Sequence, residues 1–185
     1  MANRAYLFSS DHNDADAWKQ DTEAWHQALV PYYDSRHNIP LAWWFLFDES
    51  DVLLLDIYAP TTRWSSETQW KEVRLLADKQ KSLAAFARNK SLLMKIVGAK
   101  LDASLLTEFV ATIASWPDKY LLMNPTEILS NEQDYEPCLQ IVRSIQAAAP
   151  KIEHVVKAAS YFSRVDFADS DEKEIRLNVI GYTYW

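Results

Sequence analysis

The apolar positions change period several times along the chain, and each change marks an element. Arg4–Phe8 is short and aromatic and reads as a strand. After the polar loop Ser9–Asp14, Trp18, Thr22, Trp25 and Leu29 recur at spacings of four, three and four, one stripe of a helix that Pro31 stops. Tyr32–Asn38 reads as a connection. Ile39-Pro40 then opens a second helix, because proline lacks only an N–H that the first turn does not use. The run Leu41–Phe47 is apolar on every side, so it must be buried all round. Val52–Tyr58 fits a strand or a continuing helix equally, since periodicity cannot arbitrate a short apolar run.

Ser65 or Ser66 caps the longest helix in this reading, with Gln69 completing a capping box. Leu76, Leu83, Phe86, Leu93 and Val97 trace its stripe to Gly98, a C-terminal cap, with a break near Asn89 allowed. Asp102 caps the next helix, whose inner face is Leu105, Leu106, Phe109, Ile113 and Trp116, and Pro117 ends it. A short extended segment at Tyr120–Met123, a helical turn near Pro125–Leu129, and helices over Asp134–Ala148 and Pro150–Phe162 follow. Phe162–Asp171 is an acid-rich excursion. Ile175–Tyr184 alternates apolar and polar residues and predicts a strand that pairs with Arg4–Phe8. The expectation is an α+β fold: one predominantly helical domain over residues 1–185, with a small antiparallel sheet that includes the N- and C-terminal strands.

Composition narrows the chemistry. Hydrophobic residues make up 49% and charged residues 24%, the balance of a folded globular chain. The longest apolar run, seven residues, is far short of the roughly 20 that span a bilayer. Met1–Ser10 has no apolar core of the secretory kind, so a cytoplasmic protein is expected. Two glycines exclude the phosphate-cradling loops and the nucleophile elbow, which need several closely spaced ones. A single cysteine, Cys138, excludes an intramolecular disulfide and a cysteine-rich zinc site, and its apolar neighbours read as a buried thiol.

Other constellations are bland. His12 lies among Asp11, Asp14 and Asp16, but the segment lacks the glycine and terminal glutamate of a calcium loop. Ser170 and Lys173 match S-x-x-K inside a run of acids that would keep the lysine charged and inactive. No catalytic motif, cofactor or metal is expected.

Charge is strongly segregated. Residues 1–70 hold four basic and eleven acidic side chains, residues 71–100 eight and two, and residues 101–185 seven and thirteen. One basic segment therefore sits in an acidic body. Either it is salt-bridged to its acidic neighbours, the favoured reading, or it is a patch for nucleic acid, against which the overall charge of −7 argues. The acidic clusters suit a basic protein partner instead, since complementary charge speeds association. Candidate contacts are Asp11, Asp14, Asp16, Glu49, Asp51, Asp169, Asp171 and Glu172.

Three stretches carry a resemblance: the opening MANRAYLFS; Ile39-Pro40-Leu41-Ala42-Trp43; and Asp118-Lys119-Tyr120-Leu121-Leu122 with Thr126-Glu127-Ile128 beyond it. Together they resemble a family of small bacterial proteins similar in size and acidity to the immunity proteins carried beside polymorphic or contact-dependent toxins. Asn124-Pro125 departs from that pattern, and no functional residue carries over. The resemblance implies a cytoplasmic, non-enzymatic binder of a cognate toxin encoded by an adjacent gene, with no membrane or nucleic-acid partner. The rival expectation is a small enzyme or ligand-binding protein with a pocket lined by Trp43, Trp44, Trp64 or Trp70.

Overall fold

A computed structural model describes residues 4–11, 32–59, 68–125, 128–129 and 132–184. Its centre is a six-stranded antiparallel sheet in the order β3-β4-β5-β1-β2-β6. The strands are β1 (Arg4–Ser10), β2 (Tyr32–Arg36), β3 (Val52–Ala59), β4 (Thr68–Asp78), β5 (Tyr120–Asn124) and β6 (Tyr182–Tyr184). The described helices are α1 (Leu41–Trp44), α2 (Lys79–Val97), α3 (Ala103–Ser115), α4 (Tyr135–Gln146), α5 (Ile152–Ala159) and α6 (Glu172–Val179). The architecture is mixed α+β, with the first and last strands both in the sheet, as expected. No helix among the described residues is long and apolar enough to cross a membrane. The helix expected to end at Pro31 lies outside the described residues.

Strand pleating sends alternate side chains to opposite faces, so register decides which residues meet the helices. Leu7 pairs with both Tyr33 and Met123, and Leu75 with both Met123 and Val52. This row faces the helices and merges with Phe86, Leu93, Leu106, Phe109, Ile113, Ile141, Val155 and Ile175 in one continuous core. The opposite face carries a smaller apolar pair, Phe8 and Leu122, flanked by Tyr6, Tyr32 and Leu76.

The all-apolar run behaves as its composition requires. Leu41 through Phe47 are all fully buried. Only one helical turn forms there, so polar anchors must come from elsewhere. The Trp43 indole donates to the Ile180 carbonyl at 2.7 Å, and the Trp44 indole to Ser163 Oγ at 2.9 Å. Ser163 Oγ donates in turn to the Ile39 carbonyl at 2.6 Å. Each buried donor is thereby satisfied, which avoids the penalty of an unpaired one.

Several local expectations give way to tertiary pairing. The segment after residue 68 is a strand up to Asp78, not the start of the long helix. Val73, Leu75 and Ala77 alternate inward, and β4 sits between β3 and β5, so both its edges are hydrogen-bonded. The helix starts at Lys79, where Asp78 accepts from the backbone N–H groups of Gln80 and Lys81. It runs unbroken past Asn89, whose side chain donates to the Ala85 carbonyl one turn back. Gly98 ends it at a φ of 79°. Asp102 caps α3 through the Ser104 N–H, as expected.

Tyr32–Arg36 is a strand rather than a connection. Its Asp34 lies opposite Tyr6 on β1, and Arg4 closes an ion pair to it at 2.9 Å. The predicted strand Ile175–Tyr184 divides in two. Ile175 and Val179 are one helical turn apart as well as in alternation, and the Asp171 cap on the Glu174 N–H selects the helix. Only Tyr182–Tyr184 is extended, and it pairs with β2 and not with β1.

Candidate functional site

The basic segment is the first thing the structure explains. Lys81 reaches Asp51 at 3.2 Å and Asp48 at 3.4 Å, while Arg88 lies 3.7 Å from Asp48. Lys71 pairs with Glu132 at 3.1 Å, and Arg74 with Glu72 at 2.8 Å. Lys79 donates to the Trp116 carbonyl, Lys90 to Thr107 Oγ1, and Lys100 to the Phe167 and Ala168 carbonyls. Four of the segment's eight cations thus pair with the protein's own acids, the arrangement favoured from the sequence, and three more donate to a carbonyl or a hydroxyl.

The same pairing claims two of the candidate contacts. Glu49 is held by Arg143 at 2.6 Å, and Arg143 also grips Glu136 at 2.8 Å. The Arg143 hydrogen bond holds the Glu49 carboxyl below the usual carboxylate range. Asp51 is 7% exposed and accepts from the Asp48 N–H at 2.7 Å. Burial pushes its carboxyl upward, and outweighs the Asp48 N–H and Lys81, which act the other way. Asp11 is exposed just beyond β1, and Asp14 and Asp16 lie outside the described residues.

Asp169, Asp171 and Glu172, by contrast, are exposed together where the acid-rich excursion enters α6. Asp166 and Glu174 extend the cluster, with Arg164 only loosely engaged at 3.8 Å from Glu174. The start of α3 adds Asp102, whose carboxyl the Ser104 backbone N–H holds below the usual range. Between the two helix starts lies a cleft of about 440 Å³, lined by Ala99, Lys100, Asp102, Ser170, Glu172 and Ile175. A few residues upstream, Tyr161 is 68% exposed, with its ring edge-on to Phe162 at 4.6 Å. An exposed tyrosine is the kind of side chain enriched where proteins bind one another.

Other chemistry finds little footing. No group of three metal-ligating side chains converges among the described residues. His37 and His154 are exposed, and His12 and His26 lie outside the described residues. Ser170 is buried beside an exposed Lys173, and its Oγ has no hydrogen-bond partner, so no base activates it. Trp43 and Trp44 are wholly inside the core, and the side chains of Trp64 and Trp70 are outside the described set.

Cys138 is a core residue of α4 whose thiol is pushed up chiefly by burial, with Asp134 adding to it. Its folded-state value lies above the unfolded one. It therefore contributes stability below the unfolded thiol's range near pH 8.5, which is lost as pH rises beyond it. We expect a thiol-specific reagent to leave the native protein unmodified and to react fully once denaturant unfolds it. Rapid labelling of the native chain would contradict the buried position.

The sequence reading singled out none of the ionisable groups on the second face of the sheet. Asp34 is fully buried, and Glu72 and Arg74 are 5% and 2% exposed. The register places Asn124, Tyr6 and Asp34 side by side on neighbouring strands, and Arg74 falls next in that row. A faint signal existed, since Glu72 and Arg74 flank the apolar Val73 and Asp34 follows two tyrosines. Burial of such groups is tolerated when they are paired. The chain matches no protein-family model, no curated protein and no solved structure.

Proposed function

We propose that this chain is an immunity-type inhibitor, a cytoplasmic protein that neutralises a cognate bacterial toxin by binding and covering it. One observation carries the reading. Lys71, Lys81, Arg88 and Arg143 are paired with the protein's own acids, whereas the carboxylates of Asp169, Asp171 and Glu172 are exposed, as is Tyr161 a few residues before them in the chain. A basic partner would be drawn in by that field and then anchored by the aromatic ring. The resemblance of the three sequence stretches supports the same reading.

The test is co-expression with the product of the adjacent gene. A retained, toxic partner is expected, with association that slows steeply as salt is added. Replacing Asp169, Asp171 and Glu172 together by their amides should lower the association rate about tenfold at low salt. Tyr161→Ala should instead speed dissociation and cost about 2 kcal/mol of binding. A neighbour with a housekeeping role and no retained partner would sink the proposal.

A further inference from the structure

β3 ends the sheet on one side and β6 on the other. We infer that the outer edge of β3 pairs antiparallel with the same edge of a second copy of this chain. β6 is three residues long, whereas β3 runs for eight in unbroken register with β4 and contains no proline, lysine or arginine. Folded proteins ordinarily blunt an outer strand with such residues or with a bulge, because its main-chain groups are a template for another strand.

The ladder fixes which of those groups face outward. Lys79 continues the β4–β5 register opposite Lys119, and its N–H donates to the Lys119 carbonyl at 2.9 Å. Directions alternate along an antiparallel strand, so Leu75 and Ala77 turn their N–H and C=O toward β5, and Glu72 and Arg74 turn theirs toward β3. Their partners on β3, Leu55 and Leu53, are thereby bonded inward. Val52, Leu54, Asp56 and Tyr58 then point their main-chain groups away from the sheet. The Val52 N–H is already given to the Glu49 carbonyl. Among the described residues, no other main-chain group takes up those of Leu54 or Asp56.

A second copy fits this edge because the edge is complementary to itself. With Leu55 opposite Leu55 on a two-fold axis, Leu54 falls opposite Asp56, Leu53 opposite Ile57, and Val52 opposite Tyr58. Leu54 and Asp56 of the two copies then exchange their outward hydrogen bonds, and no like charges stand directly opposite. The contact uses the same patch on both chains, so it closes as a dimer and does not propagate. A basic strand from another protein fits less well. The one acid on this edge, Asp56, already lies across from Lys71 in the ladder, which leaves no net charge to draw it. A helix cannot serve, since its main-chain groups are bonded within it.

Light scattering on the full chain should show a concentration-dependent dimer at physiological salt, where repulsion between two chains of charge −7 is screened over about 8 Å. Asp56→Pro removes only an outward N–H and leaves the bonds of Leu55 and Ile57 to β4 in place. It should keep a cooperative melt and weaken the dimer about thirtyfold, because the two-fold axis makes the loss a pair of hydrogen bonds. Leu55→Cys tests the register without a proline. Its two thiols face each other across the axis at the spacing of a cross-strand disulfide, so mild oxidation should join the copies, whereas Leu53→Cys should stay unjoined. The native Cys138 is buried and takes no part. A chain that is monomeric at every concentration, a dimer that Asp56→Pro leaves at the parent's affinity, or crosslinking no faster for Leu55→Cys than for Leu53→Cys would overturn the inference. Should Asp56→Pro fail to fold, the pair of cysteine variants decides alone.

Discussion

Trp43→Ala is expected to destabilise the protein by about 4 kcal/mol, with a fall in melting temperature of about 10 °C. The indole is fully buried in the longest apolar run of the chain, so its removal leaves a cavity that the neighbouring rings cannot fill. It also strips the Ile180 carbonyl of its donor at 2.7 Å, precisely where α6 hands over to the last strand. Trp43→Phe separates the two contributions. It restores most of the volume but not the hydrogen bond, and should cost about 2 kcal/mol. Denaturant melts of the two variants beside the parent measure both effects, and a Trp43→Ala loss below about 1 kcal/mol would refute the role assigned to this side chain.

Gly181→Ala should be nearly as damaging, by about 3 kcal/mol, for a different reason. The residue sits at a φ of 93°, a region that side chains rarely tolerate. A Cβ there would lie 2.8 Å from the Asp34 carbonyl, 3.0 Å from Trp43 Cζ2 and 3.3 Å from Pro40 Cγ. The nearest of these is backbone of β2, which is hydrogen-bonded on both sides and cannot retreat. Gly98 is the internal control. Its φ of 79° is also positive, but nothing lies within 4 Å of the added carbon, so Gly98→Ala should cost only about 1 kcal/mol of backbone strain. Equal losses at the two glycines would show that steric contact plays no part. Trp43 and Gly181 touch, so their effects should not add in a double variant.

Sequence pattern and structure agree where local chemistry is decisive. Seven successive apolar residues have no polar face to show water, and Leu41–Phe47 is accordingly buried throughout. Asp102 and Gly98 act as caps because their side chain, or lack of one, solves a problem confined to one turn. Disagreement arises where two periods fit the same letters. Ile175, Leu177 and Val179 alternate, but Ile175 and Val179 also fall on one helical stripe, and a cap four residues upstream decides. Residues 68–78 become a strand because β3 and β5 flank them, and β5 arrives from beyond residue 119. No local window contains that information.

The candidate site follows the same division. Asp169, Asp171 and Glu172 were visible as an acidic run in the sequence. Asp102 looked like a helix cap and nothing more, since its approach to Ser170 and Glu172 exists only once α3 and α6 are placed. Glu49 and Asp51 looked equally available as contacts, yet Arg143 and Lys81, distant along the chain, occupy them. Charge alone does not distinguish an acid that waits for a partner from one that already has it.

The strand order has a consequence for how the protein is made. β1 precedes the other described strands along the chain, but its inner neighbour, β5, is more than a hundred residues behind it, as Tyr6 opposite Asn124 shows. The β3–β4 hairpin can close early, whereas the middle of the sheet must wait for β5 and its outer edge for β6 at Tyr182–Tyr184. Such non-local closure is slow, and it leaves aromatic strand edges open in the meantime. A chain cut back before Tyr182–Tyr184 would therefore leave β2 with an open outer edge and the sheet unfinished.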